Sequence, residues 1–540
     1  MFAAVLVCSR FLRIVLMLML LLGWLVPMSV SARGLTSTGI NTDTPTQYPC
    51  FAVQHIELID PQGQPVERRW QDYTQSLQLA WPICITADDI GDIQQGLTAL
   101  MIEDGWITTR LGVPGQDLTS GKLQLVLVVG KLGQVLTDKA LPKRRWRPAL
   151  AASTEQAINL KDIEQTVEQL QRLPSQTANL QVVPSAEPGY SDLQLDLQNA
   201  KPRHRGSIAW NNQGDAGINT NQWVTSLTLD RPFGLTDQFN LNTTNTKGQE
   251  GFAHSVNMDG SIGVGYNTFK YTKSTNRTSK RIIGAVENFQ SFSTSDDWVF
   301  DYTRRIYRNN DTLIDLTASR GFDERHSYID GTEIDVQKRQ QAWGKLALQS
   351  VFSVAKTNWQ VNLSAKAGKP RWGGEDDPID ITPNEGTHRY LLYTSVFSLN
   401  RAWELEANKA INWRSTLTSQ YSNDTLLSAD YFSVGGAASV RGFSSPLSAE
   451  QGWHWRNEIG LQLTNPKATG EMYVALDMGE VSGYNTINLP GTQLVGMAIG
   501  QTGRSGALGY KVEVGVPLYG PQTLMDNSKA TMSLTITGYF

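Results

Sequence analysis

The chain has 540 residues, 40% of them hydrophobic and 18% charged, with a formal net charge of −4. That length suits two or three domains rather than one core, and the apolar content excludes a chain disordered throughout. Lys and Arg are scattered without a long basic block, which argues against nucleic acid as a partner.

The N-terminus reads as an export signal over residues 1–32. Arg10 and Arg13 precede an apolar run from Ile14 to Val26, Pro27 ends it, and Val30, Ser31 and Ala32 offer small residues for cleavage. The run is shorter than the ~20 residues a spanning helix needs. Residues 33–49, rich in Thr, Ser, Gly and Pro, read as a flexible lead-in. Cys8 lies within the signal, so the exported chain keeps Cys50 and Cys84. An even pair in an exported protein suggests one disulfide, worth ~3–4 kcal/mol by chain entropy for a loop of this size. A thiol nucleophile or a metal site is the weaker alternative, since neither cysteine has a histidine near it in sequence.

From about 50 to 200, helix patterns alternate with short strand patterns, and the arrangement repeats. Thr86 and Asp89 form a capping-box-like pair, Ile90, Ile93, Leu97 and Leu100 share one helical face, and Gly105 is placed to end the helix. The alternating strand Leu123, Leu125, Leu127, Val129 follows. About seventy residues on, Leu160, Ile163, Val167 and Leu170 repeat the helical spacing behind Asn159, a candidate N-cap. Pro174 then ends that helix, and Leu193, Leu195 and Leu197 supply the later strand. Two small α/β modules in tandem account for this.

Beyond residue 203 only strand patterns and turns remain. Trp359, Val361, Leu363, Ala365 and Ala367 alternate with Gln360, Asn362, Ser364 and Lys366. Trp223, Thr225, Leu227 and Leu229 lead through a turn at Pro232, Gly234 and Asp237 to Phe239, Leu241 and Thr243. Tyr510, Val512, Val514 and Val516 face away from Lys511 and Glu513. One apolar and one polar face suit an antiparallel sheet, either a sandwich or a membrane barrel. Roughly 337 residues of unbroken strand pattern exceed one sandwich. Spread over sixteen strands they give about 21 residues each, enough for a tilted crossing of ~9–11 residues and a loop. Closure also removes exposed edges. On the last strand Met532, Leu534, Ile536, Gly538 and Phe540 share a face, and a terminal Phe540 in that register is similar to the C-terminal signal read by the barrel assembly machinery.

Val440-Arg441-Gly442-Phe443 resembles the loop motif of the Omp85 superfamily, and Asp477, between Tyr473 and Gly479, resembles the acidic position on a nearby barrel strand. The stretches Gly96 to Arg110 and Leu160 to Pro174 resemble the paired POTRA modules of the two-partner secretion branch, the family of hemolysin and filamentous hemagglutinin transporters. Cys50 and Cys84 also suit the cysteine pair of many first modules in that branch.

The resemblance implies a mainly β fold, with two small α/β POTRA modules (50–131 and 132–202) ahead of a sixteen-stranded antiparallel transmembrane β-barrel (203–540). It implies a pore that recognises one exoprotein, a TpsA-like β-helical client, through the POTRA modules and secretes it unfolded across the outer membrane. Whether the client is also activated stays open. Outer-membrane lipid and, during biogenesis, the assembly machinery are the other partners. Some relatives plug the pore with an N-terminal helix, and residues 33–49 leave little room for one.

The resemblance places Arg441 at the tip of a loop folded into the lumen, against Asp477 on the wall. The guanidinium fork suits a carboxylate bidentately in a way that Lys cannot match, and Gly442 permits a sharp backbone path beside Val440 and Phe443. Such a pair would act as a latch. Chemistry of other kinds finds little footing. The six histidines have no metal-type spacing, Gly442-Phe443-Ser444 lacks the nucleophile-elbow pattern, and Gly115 to Lys122 is one residue too long for a phosphate loop. No cofactor and no enzymatic activity are expected. A passive porin or a barrel-assembly factor are the rival readings.

Overall fold

The computed structural model describes residues 50–540, apart from 78, 138–140, 216, 285–286, 383, 407 and 528–529. The expected signal, the lead-in and the plug question lie outside the described residues.

By Cα proximity the chain forms two compact units. One holds the described residues up to Val135 with Ser153–Leu160 and Val182–Leu193, and the other holds Leu136–Ala152, Lys161–Gln181 and Gln194–Phe540. In the first, Thr86 caps the helix Ala87–Glu103. Its hydroxyl accepts from the Asp89 N–H, while Asp89 Oδ2 accepts from the Thr86 N–H at 2.7 Å, closing a capping box. Ile93, Leu97 and Met101 form the buried stripe, so Met101 rather than the half-buried Leu100 completes the expected face. Gly105 takes φ +96°, and Trp106 N–H reaches back to Met101 O at 2.9 Å, a Schellman-type ending. The strand Lys122–Val128 lies between a parallel partner, His55–Ile59, and an antiparallel one, Arg110–Gly112. Its Leu123, Leu125 and Leu127 are buried on one face, as period-2 alternation requires. Cys50 and Cys84 are joined by a disulfide with Cα atoms 5.4 Å apart, beside the short pairing of Phe51–Val53 with Ile83–Ile85.

The second α/β repeat pairs the helix Leu160–Gln171 with a sheet ordered Lys131–Thr137, Tyr190–Asn199, Gln176–Pro184. Leu193, Leu195 and Leu197 are buried, with Ile163 and Leu170 from the helix. Leu160 is exposed and Val167 half-buried, whereas the polar side chains Gln165, Thr166 and Gln169 are buried. This helical face packs on tight turns of the β-domain. Gln165 and Gln169 both donate to Gly265 O, at 3.1 and 2.9 Å, and Tyr266 donates to Asp162 at 2.6 Å. Arg172 donates to Thr236 O at 2.5 Å and Ser261 at 2.8 Å, and Arg305 and Arg308 both engage Glu168.

Sixteen long strands, from His204–Asn211 to Thr531–Tyr539, pair antiparallel with their neighbours and close into a barrel. The seam joins Thr535 to Tyr539 with Asn211 to Ser207, and Phe540 extends it through reciprocal backbone bonds to Gly206 at 3.0 and 2.9 Å. Gly206 leaves room there, because a Cβ would come 2.7 Å from the Ser226 backbone oxygen and 2.6 Å from the Phe540 ring. On Ala468–Ser482, Met472, Val474 and Leu476 are 56%, 54% and 44% exposed on the outside, whereas Tyr473, Ala475 and Asp477 are buried inside. That is the apolar-out, polar-in alternation of a lipid-facing barrel.

Burial would raise the Glu168 carboxyl, but hydrogen bonds from Arg305 and Arg308 outweigh it and hold Glu168 below its ordinary value of 4.5. A carboxylate lowered by folding contributes stability at neutral pH that disappears as pH falls through its folded value. Hydrogen exchange over residues 160–171, corrected for intrinsic rates, should therefore stay slow at neutral pH and quicken as the pH falls below the ordinary carboxylate value of 4.5. Glu168→Gln should quicken it at neutral pH and abolish that acid dependence.

Candidate functional site: a loop locked inside the barrel

The connection between Lys409–Ser422 and Gln451–Asn465 carries its own small hairpin, Phe432–Val434 with Leu447–Ala449. Val434, Val440, Phe443 and Leu447 are buried with Val481 and Leu494 of the barrel in one apolar cluster. Burial of these side chains presses the loop against the wall. Glycines permit the approach. Gly442 takes φ +96°, and a Cβ there would meet Val516 C at 2.4 Å. Across from it, a Cβ on Gly496 would lie 1.8 Å from Arg441 O, and one on Gly515 would lie 2.7 Å from Gly442 N.

This packing delivers Arg441 into a nest of carboxylates. Arg441 is 1% exposed and Asp477 0%. Nε meets Asp477 Oδ2 at 2.5 Å and Nη2 meets Oδ1 at 2.7 Å, a bidentate fork, and the Arg441 backbone N–H adds a bond at 3.2 Å. Nη1 donates to Glu458 at 2.6 Å and to Glu513 at 3.3 Å. Those carboxylates have further partners. Arg414 bridges Glu458 at 3.1 Å and Glu471 at 2.5 Å, Tyr473 donates to Glu513 at 2.6 Å, and Lys511 lies 3.4 Å from it. The charges alternate along the inner wall, so each buried ion of this site has a partner of opposite charge.

The structure thus brings Val440, Arg441, Gly442, Phe443 and Asp477 into one site, while Cys50–Cys84 and Phe540 lie elsewhere. Sequence reasoning missed Glu458, Glu513 and Tyr473 as partners. Their signal is inward parity, because Glu458 precedes outward Ile459 and Glu513 alternates with outward Val514. Among the described residues no group of three or more His, Cys, Asp or Glu is arranged to hold a metal ion.

A closed barrel with a lipid-type exterior, a loop locked in its lumen and paired α/β modules ahead of it define an outer-membrane transporter of the Omp85 superfamily. The chain belongs to the haemolysin secretion/activation protein family ShlB/FhaC/HecB, whose profile matches residues 189–503. A ShlB-type POTRA profile matches residues 51–130 and a second POTRA profile matches 131–184. The chain is 28% identical to "Outer membrane transporter CdiB-2" of Burkholderia pseudomallei over 518 residues, covering 92% of this chain and 87% of that one. It is 24% identical to "Hemolysin transporter protein ShlB" of Serratia marcescens, covering 74% and 71% of the two chains. In fold it matches CdiB from Escherichia coli, with a TM-score of 0.80, 23% identity and 93% of each chain covered. CdiB from Acinetobacter baumannii gives a TM-score of 0.81 at 21% identity, covering 92% of this chain and 91% of that one. The protein is an outer-membrane pore of two-partner secretion, with its POTRA modules in the periplasm and a secreted exoprotein as its partner.

Gly442→Ala places a side chain at a left-handed φ and against the Val516 backbone, which together should cost ~2 kcal/mol or more. The expected result is a lower temperature for conversion of the compact to the extended form on semi-native gels, with new protease cleavage between residues 423 and 450.

Proposed function

We propose that Arg441 and Asp477 form a latch that holds the loop in a secretion-competent position while one exoprotein is passed outward unfolded. The observation that carries this reading is the burial of the guanidinium against two Asp477 oxygens, with Glu458 and Glu513 completing its surroundings. Removing one side of a buried pair strands the other, at ~3–5 kcal/mol. The cost is large enough to fix a conformation, which is the use of a latch.

The client is a TpsA-like, β-helical exoprotein. It adds an extended segment to a POTRA strand edge, where main-chain hydrogen bonds supply affinity and neighbouring pockets supply selectivity. Folding at the cell surface supplies the outward bias. The modules span residues 50–131 and 132–202, and the barrel spans 203–540. The Cys50–Cys84 disulfide stiffens the first module before the client arrives. Phe540 is the mark read by the barrel assembly machinery, and lipid surrounds the outward apolar rows.

Arg441→Ala should lower secretion of the exoprotein several-fold while the barrel still assembles and remains heat-modifiable. Unchanged secretion would end the latch reading. Deleting residues 50–200 should abolish secretion yet leave a heat-modifiable barrel in the outer membrane, and continued secretion would remove the docking role of the modules.

A further inference from the structure

The loop that carries Arg441 has two unlike sides. Toward Gln451–Asn465, Ala468–Ser482, Gln493–Ser505 and Leu508–Tyr519 it is packed solid, with glycines letting backbone meet backbone and Arg441 wholly enclosed. Toward the opposite wall its residues 426–431 border an open chamber of about 930 Å³. That chamber is lined from the wall by Asn276, Asp297, Asp323, Arg325, Gln341 and Lys366, among others.

Polar contacts of Asp430 tie the loop across this chamber, beside a small apolar cluster of Leu426 and Tyr431 with Tyr390 and Leu392. Lys366 Nζ lies 2.8 Å from Asp430 Oδ1, and Gln341 Nε2 donates to Asp430 Oδ2 at 3.1 Å. The Lys366–Asp430 pair is 18% and 10% exposed, so water reaches it, unlike the Arg441 pair. Lys366 also sits 4.7 Å from the centre of the Trp343 ring and 5.6 Å from that of Tyr390. Those π-faces keep a cation in place when its carboxylate leaves. Opening here breaks one partly exposed ion pair, the amide contacts of Gln341 and Gln420 to Asp430, and the neutral packing of Leu426 and Tyr431 on Tyr390 and Leu392, whereas opening at Arg441 strands the buried Asp477 carboxylate.

From this asymmetry we infer that the lumen opens at the Lys366–Asp430 contact while Arg441 stays locked, and that the chamber beside it is the passage for an unfolded polypeptide. The inference rests on the latch reading, since it needs a loop that stays pinned on its far side. The chemistry of the wall fits the occupant. Carboxylates, guanidinium groups and amides of mixed sign hydrogen-bond to any hydrated chain without holding one sequence, and a passage must bind weakly enough to release. A gate at the loop's base also widens the route without exposing the apolar cluster around Val440 and Phe443.

The test uses the purified full chain in planar bilayers, with KCl conductance and an unstructured polypeptide of mixed charge as probes. Asp430→Asn and Lys366→Met should each raise mean KCl conductance several-fold, and the polypeptide should produce transient current blockades in both. Cysteines at Lys366 and Asp430, bridged by a thiol-cleavable bifunctional reagent, should bring conductance below the untreated level, with recovery on cleavage. The chain without added cysteines serves as the control for Cys50–Cys84. A second bridge on the packed side, between cysteines at Ala438 and Arg456, should leave conductance unchanged, because Arg456 Nη1 already holds Ala438 O at 2.9 Å. Loss of conductance with both bridges would mean that the loop leaves the lumen as a whole, and loss with neither would place the passage elsewhere. Either outcome overturns the inference. A failed latch shows separately, as secretion that survives Arg441→Ala.

Discussion

The arrangement of the lumen depends on one buried guanidinium. Arg441 arrives on a loop, and a loop held only by turns would leave the pore at little cost. Enclosing its charge makes departure expensive, because the buried Asp477 carboxylate would lose both bonds of its fork, and Glu458 and Glu513 would each lose one partner. Those carboxylates sit on three strands of one stretch of the wall, so these strands must be paired in register before the nest exists. The loop position and the register of this part of the wall are therefore coupled through a single side chain. Arg suits the place because its planar fork satisfies Asp477 bidentately and still has Nη1 for two further acceptors.

Much of this architecture was legible in the sequence because the controlling signals are local. Thr86 with Asp89, and Gly105 nineteen residues beyond the cap, mark a helix whose ends need no tertiary partner to be recognised. The alternation of outward Tyr510 and Val514 with inward Glu513 is set by strand geometry alone. Arg441 and Asp477 were named from a resemblance, and no local pattern would have paired them across 36 residues.

What stayed hidden is long-range. Glu513 was visible as a polar position, yet the convergence of Glu458 and Glu513 on Arg441 depends on the order of neighbouring strands in the wall. Gly496 and Gly515 look like ordinary strand glycines until the loop backbone is laid over them. Of the apolar stripe expected on the helix Leu160–Gln171, Ile163 and Leu170 are buried. Its second buried face, Gln165 and Gln169 on Gly265 O with Glu168 between Arg305 and Arg308, is polar and so carries no hydrophobic signature. That face seats the helix on the turns of the β-domain.

The most direct test of the account is a double-mutant cycle on Arg441 and Asp477, read as the free energy of unfolding of the full chain in detergent or lipid. Arg441→Ala and Asp477→Ala should each destabilise by ~3–5 kcal/mol, and the double variant should lose far less than their sum, with a coupling energy of at least ~1.5 kcal/mol. Additive losses, with coupling near zero, would mean that the pair is only adjacent and that something else holds the loop.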